Sequence, residues 1–306
     1  MFDYELWQTQ NYPIDVNMAL EEYFLNYSAK TKKATLRLWS VPNDAAVLGY
    51  SQATDVLKNP EHGFNVVRRA SGGSHIQIGS NILAYTVTIP RDGTFKYYED
   101  MRAYYAGKIA SAFESLGITG IAVDNKASTI NVGEKVIASH AIVWGVNSAL
   151  LHGLIVIDPY NVDKLSNRLT LSSRKIGSNV YTEYSALKNI PAVSKLLDSF
   201  GENLDKNQRT EALKNMLGKE IAKTVAGNDF QKKGIDNKIL AQADSLIQKK
   251  YGQERWTSLK KPAFTKEEID EIPGEVLDGP LKKGLGYCLY IQVKNKDFKK
   301  MADPIA

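Results

Sequence analysis

The sequence predicts an α+β domain, and three observations carry that prediction. Short β-rich runs dominate the first 187 residues, and two long helical patterns interrupt them. Successive strands lie close enough in sequence for antiparallel pairing, with no regular βαβ alternation. Beyond residue 190 the pattern turns mostly helical and polar on one side.

The elements follow in order. Residues 14–28 read as a helix: Asp15 can cap it, and Met18, Ala19, Leu20, Phe24 and Leu25 form an apolar face. Thr35 to Trp39 alternates like a strand, and a second strand, Ala45 to Tyr50, follows the Pro42-Asn43-Asp44 turn. Asn65 to Arg69 and Ile82 to Val87 read as strands flanking a glycine-rich turn. Residues 97–117 form an amphipathic helix through Met101, Tyr104, Tyr105, Ile109, Phe113 and Leu116, closed by Gly117. Strands return at 129–132 and 135–137 around a Gly133-Glu134 turn, then at 141–144 and 151–157. Residues 191–226 and 236–250 are helical, and after a Pro- and Gly-marked stretch 285–293 reads as a final strand.

Composition narrows the function classes. The chain has 306 residues and is 43% hydrophobic, enough for a sizeable core. No apolar run reaches the ~18 residues that span a bilayer. The first residues, Met1-Phe2-Asp3-Tyr4-Glu5, do not resemble a signal peptide. Cys288 is the sole cysteine, which excludes an intrachain disulfide and a Cys-rich metal site and points to a cytoplasmic protein. His62, His75, His140 and His152 show no metal-ligand spacing. Residues 1–187 hold 17 basic and 17 acidic groups, so the net charge of +5 lies wholly in residues 188–306. That excess can steer an acidic protein partner but is too weak to argue for nucleic acid.

The stretch Arg68-Arg69-Ala70-Ser71-Gly72-Gly73-Ser74-His75-Ile76-Gln77-Ile78-Gly79-Ser80-Asn81 is the main candidate for chemistry. Glycines admit a ligand close to backbone N–H groups, and arginines supply fixed positive charge, a combination suited to a carboxylate or phosphate. The same pattern equally describes a plain hairpin turn. Lys135, after Gly133-Glu134, reads either as a solvated strand-edge residue or as an ammonium aimed at a bound acid. His152, before Gly153, reads first as a core histidine satisfied by one backbone bond, and His75 either contacts a ligand or fills a turn position.

The order of these pieces resembles the lipoate–protein ligase branch of the biotin/lipoate ligase family. The resemblance rests on Asn17-Met18-Ala19-Leu20-Glu21-Glu22, on Leu36 to Trp39 and Val47 to Gln52, on Arg68 to Asn81, and on Gly133 to Ser139 followed by His152-Gly153. Lys250-Tyr251 to Trp256 is a fainter echo of the end of the family's catalytic domain. The likeness covers residues 1–262, so 263–306 is expected to be a short C-terminal extension.

The resemblance implies a catalytic domain like those of class II aminoacyl-tRNA synthetases and biotin synthetases, with mainly antiparallel or mixed sheets flanked by helices. It implies that lipoate and ATP, with Mg2+, give lipoyl-AMP, which acylates a lysine of a carrier. The carrier would be the lipoyl domain of a 2-oxoacid dehydrogenase E2 or a glycine-cleavage H-like protein, with an accessory ligase subunit as a further expected partner. Neither nucleic acid nor membrane is expected. Lys135 takes the catalytic role on this basis, holding the carboxylate and α-phosphate. Arg69, Ser71, Gly72, Gly73, Ser74, His75, Gly79, Asn81, Ser139, His152 and Gly153 would line the substrate and adenylate. No metal ligands are identified.

Two departures from the family pattern stand out. The loop from Ser74 to Asn81 lacks the family's His-Asp pair, and Ala127-Ser128 stands where an Asn-Asp pair helps hold ATP and magnesium. Both fall on the nucleotide side. The transferase branches use a cysteine that has no counterpart here, since Cys288 lies far beyond either position. The alternatives are therefore a cysteine-free lipoyl or octanoyl transferase with a protein donor, and a non-catalytic lipoate- or partner-binding paralogue.

Overall fold

The computed structural model describes residues 2–8, 11–50, 65–73, 75–160 and 191–257. Their frame is an eight-stranded mixed sheet. It is built from β1 (Tyr4–Gln8), β2 (Ala34–Trp39), β6 (Ile82–Pro90), β7 (Ile121–Asp124), β8 (Thr129–Val132), β9 (Lys135–Trp144), β10 (Ser148–Val156) and β11 (Gln231–Gly234). The spatial order is β11-β1-β2-β6-β10-β9-β8-β7. β1 pairs in parallel with β2 and β11, and the other neighbours are antiparallel. A second sheet sets β3 (Ala45–Leu48) between β4 (Asn65–Arg68) and β5 (Ile76–Ile78). The mixed-sheet α+β expectation holds.

Helices cover both faces. α1 (Ile14–Thr31), the small sheet, α5 (Asn237–Leu246) and α6 (Glu254–Thr257) share one core with Trp39, Ala84 and Leu154. α2 (Tyr98–Ser115), α3 (Val193–Leu196) and α4 (Lys206–Ala226) share the other with Tyr85, Val87 and Leu151. Every residue of β6 is buried, so its nine-residue apolar run marks a strand covered on both sides. Gly218 lets α4 approach β2, since a Cβ there would stand 3.2 Å from Leu38 Cδ1.

Several elements differ from the sequence reading. β1 was not expected from its acidic appearance, yet Tyr4 and Leu6 join one core and Trp7 the other, which is the alternation of a doubly covered strand. β11 is exposed along its whole length and has no apolar pattern; its backbone pairing with β1 alone defines it. β5 and β7, short and only partly buried, also escape the pattern. Residues 135–144 form one strand rather than two, because Ala138, Ser139 and His140 continue the pairing with β10. The helix expected over 236–250 ends in a π-turn at Ile247–Tyr251. The expected strand 285–293, Cys288, His62, Ser74 and the boundary at 262 lie outside the described residues.

Candidate active site

The glycine turn is not a hairpin. β4 and β6, which flank it in sequence, lie in different sheets, and β3 separates β4 from β5. The turn instead folds back over the end of β3. Tyr50 N donates to Ser71 O at 2.9 Å and Arg69 N to Leu48 O at 3.0 Å. A Cβ on Gly49 would sit 1.7 Å from Gly73 O, so only glycine permits this crossing. Gly73 itself has φ +94°.

Two arginines brace the turn from within. Arg68 donates to the carbonyls of Thr257 (2.7 Å), Gly49 (2.7 Å) and Tyr50 (3.0 Å), and Trp256 Nε1 returns a bond to Arg68 O at 2.8 Å. This ties the loop to α6. Arg69 donates from Nε to Ser71 Oγ (2.9 Å), from Nη1 to Val47 O (3.2 Å) and from Nη2 to Gly72 O (2.6 Å). Burial pushes its guanidinium down to about 10, against the pull of Glu21.

Strand register builds the floor beneath the turn, because directly opposed residues share a face. One row across the large sheet runs Arg37, Thr86, His152, Ala141. The next runs Trp39, Ala84, Leu154, Ser139. The first row is polar at its centre and the second is apolar up to Ser139. Above the polar row, α1 places Glu21 at 5% exposure.

The polar groups form one directed chain. Trp39 Nε1 donates to Thr86 Oγ1 at 3.0 Å, and Thr86 Oγ1 donates to Glu21 Oε1 at 2.9 Å. On the other side His152 Nδ1 lies 2.7 Å from Glu21 Oε2, and His152 Nε2 lies 2.6 Å from Ser71 Oγ. The directions follow from valence. Burial raises the Glu21 carboxyl, but the charge and hydrogen bond of His152 and the charge of Arg37 outweigh it and leave the group below its ordinary range. Ionised Glu21 only accepts, so His152 Nδ1 donates to it. Arg69 Nε only donates, so Ser71 Oγ accepts there, and its own proton is left for His152 Nε2 when that nitrogen carries none. Arg37, fully buried, stacks on Trp39 at 4.8 Å and bonds Asn17 Oδ1 at 2.7 Å. Burial pushes it down to about 10.

The expected site residues divide into groups. Ser71, Arg69 and His152 come together, and Gly72 and Gly73 follow Ser71 on the exposed rim. Ser139 shares the sheet face of His152. His75 is half-buried beside them, and burial, reinforced by the charge of Arg69, pushes its imidazole down to about 4. Gly79 and Asn81 shape the β5–β6 turn: a Cβ on Gly79 would stand 2.4 Å from Asp44 Oδ1, and Asn81 Nδ2 donates to Asp158 O at 3.0 Å. Gly153 packs on the opposite face, where a Cβ would meet the Tyr85 ring. Lys135 is exposed, opposite Val132 across the β8–β9 turn. It lies four residues from Ser139, roughly 13 Å along an extended strand, so it stands apart from the buried chain.

Sequence reasoning did not single out Glu21, Arg37, Thr86 or Trp39 as site residues. The available signal was an acid within the apolar face of α1 and an arginine alternating with core leucines in β2. Among the described residues no group of three His, Cys, Asp or Glu converges to hold a metal ion. Asp124, near the family's magnesium position, accepts from the backbone of Lys126 (2.9 Å) and Ala127 (2.8 Å).

Known proteins share this architecture. A lipoate protein ligase A solved with ATP has TM-score 0.63 at 20% identity, over 84% of this chain and 98% of that one. A Thermoplasma acidophilum protein solved with lipoic acid has TM-score 0.62 at 20% identity, over 84% and 99%. Lipoate–protein ligase 1 of Staphylococcus aureus is 25% identical over 84% of this chain and 74% of its own length. The model of the lipoyl protein ligase A/B catalytic domain matches residues 13–218, a span holding α1, the arginine–glycine turn and both site rows, and the chain belongs to that family.

Proposed function

We propose that this protein is an ATP-dependent lipoate–protein ligase, which converts lipoate to lipoyl-AMP and passes the lipoyl group to a lysine of a carrier domain. One observation supports this above others. Ser71 of the arginine–glycine turn meets His152 of the sheet, which in turn meets Glu21 of α1, and the exposed Gly72-Gly73 backbone follows directly, so backbone N–H groups beside a buried polar site can take an anionic head. Family membership supplies the chemistry: relatives matching this chain are lipoate–protein ligases, and neighbours in fold were solved with lipoic acid and with ATP.

Activation answers a physical need. A free carboxylate repels nucleophiles, and a lysine of pKa ~10.4 must lose a proton, which costs about 4–5 kcal/mol at pH 7. A mixed anhydride with AMP is electrophilic enough to react despite that cost. Lys135, on the mobile-length side chain of an exposed turn, would close on the carboxylate and α-phosphate once both are bound. Gly72, Gly73 and Ser74 would line the intermediate with backbone N–H groups. The acceptor is proposed to be an E2 lipoyl domain or an H-like protein; an archaeal neighbour is a bipartite ligase described with its E2 lipoyl domain.

The test is exchange of labelled pyrophosphate into ATP in the presence of lipoate and Mg2+. Exchange that disappears in Lys135→Ala supports the proposal. Absence of exchange with carrier and accessory protein both added refutes it.

A further inference from the structure

We propose that Ser71, His152 and Glu21 form a nucleophilic relay in which Ser71 Oγ accepts an acyl group from an activated acyl donor, giving the protein an acyl-transfer activity that needs no ATP. The activity uses the acyl pocket of the ligase reading but not its nucleotide chemistry.

Three features carry the inference. The first is geometry. Ser71 Oγ to His152 Nε2 is 2.6 Å, and His152 Nδ1 to Glu21 Oε2 is 2.7 Å. Both spacings suit a nucleophile, a base and an orienting carboxylate. The second is polarity along the chain. Trp39 donates to Thr86 and Thr86 to Glu21 Oε1, which leaves Oε2 to the imidazole. Arg69 Nε supplies the second bond to Ser71 Oγ at 2.9 Å, which leaves the hydroxyl proton for His152 Nε2 whenever that nitrogen is unprotonated.

The third feature is placement. Ser71 is 1% exposed, but the next two residues are exposed glycines. Among the described residues the N–H groups of Gly72 and Gly73 have no backbone acceptor. A Cβ on Gly72 would meet nothing within 4 Å. Two backbone amides on exposed glycines directly after a nucleophile suit the oxyanion of a tetrahedral intermediate.

Ser71 Oγ attacks the carbonyl of an acyl thioester, and its proton passes to His152 Nε2. The new C–O bond forms, the C–S bond breaks, and the proton on His152 leaves with the thiolate. In the second half a neutral lysine amine of the carrier attacks the serine ester. Its proton returns through His152 to Ser71 Oγ as the amide forms.

The experiment uses the full chain without ATP, with p-nitrophenyl octanoate and an octanoyl thioester of N-acetylcysteamine as probes. The relay predicts a stoichiometric burst of p-nitrophenol and an octanoyl adduct on the peptide containing Ser71. Glu21→Gln and His152→Gln should slow the burst by about 10²–10⁴-fold. Ser71→Cys, which preserves volume, should carry a thioester cleaved by neutral hydroxylamine; this variant decides the matter if Ser71→Ala does not fold. An adduct only on other residues, a burst unchanged in Ser71→Ala, or acylation of Ser71 indifferent to His152→Gln overturns the proposal. Pyrophosphate exchange on the same preparation reads the ligase reaction separately, so either reading can fail alone.

Discussion

Replacing Gly153 by alanine tests how the site is held by the layer behind it. An added Cβ would lie 2.3 Å from Tyr85 Oη, 2.4 Å from Tyr85 Cζ and 2.6 Å from Ser139 O. Ordinary contact begins near 3.4 Å, so the tyrosine must retreat by about 1.1 Å or β10 must part from β9. Neither is free. Tyr85 is fully buried among Met101, Tyr105 and Ile109, which are also fully buried. Overpacking of a full core costs ~1–3 kcal/mol, and the second clash, with a ladder carbonyl, puts this change near the upper end, about 3 kcal/mol. Urea unfolding followed by circular dichroism measures it. A double-mutant cycle with Tyr85→Leu isolates the ring. If the ring is the main obstacle, alanine at 153 costs at least ~1 kcal/mol less in that background, since contacting residues couple by ~0.5–3 kcal/mol. Additivity within about 0.5 kcal/mol would refute the account and assign Gly153 to ligand contact or backbone freedom instead.

Acid should destabilise the protein partly through His140. Burial, aided by the charges of Arg102 and His152, pushes its imidazole from 6.5 down to about 4, and neither ring nitrogen has a partner among the described residues. A depressed folded value means the neutral form is favoured. The stabilisation is complete above pH 6.5 and is lost as pH falls toward 4, by about 3 kcal/mol at ~1.36 kcal/mol per unit. His140→Leu should flatten that part of the stability–pH profile. Lys250 and Glu22, 3% exposed each at the side chain, pair at 2.6 Å, and Tyr251 bonds the same oxygen at 2.6 Å. Lys250→Met should destabilise by ~3–5 kcal/mol in chemical denaturation, because it strands a buried carboxylate. Gly49→Ala should displace the Gly73 carbonyl and abolish pyrophosphate exchange while leaving the helical circular dichroism signal in place, since the clash is confined to the turn.

Much of the frame was legible because its signals are local. The β6 run from Ile82, the apolar face of α1 and the α2 pattern each reflect one residue's neighbours in sequence. β11 was not legible: Gln231-Lys232-Lys233-Gly234 has no side-chain pattern, and its strand state exists only through pairing with β1. The site shows the same division. Ser71 and His152 stood in recognisable motifs, and Lys135 did too. Their grouping could not be read from spacing, since Ser71 and His152 are 81 positions apart and Glu21 a further 50 before Ser71.

The sequence by itself determined the alternation that makes β2, β6 and β10 strands, the glycines at 49 and 73 without which the turn cannot cross β3, and the order of motifs that identifies the family. Tertiary structure alone decided what the charged residues do. Arg68 and Arg69, which suggested open anion contacts, turn inward and brace carbonyls. Glu21, unremarkable in a helix, becomes the acceptor at the centre of a buried chain. The physical reason is range. Periodicity and backbone conformation are set by near neighbours, whereas a buried polar side chain must be matched by partners from wherever the fold delivers them.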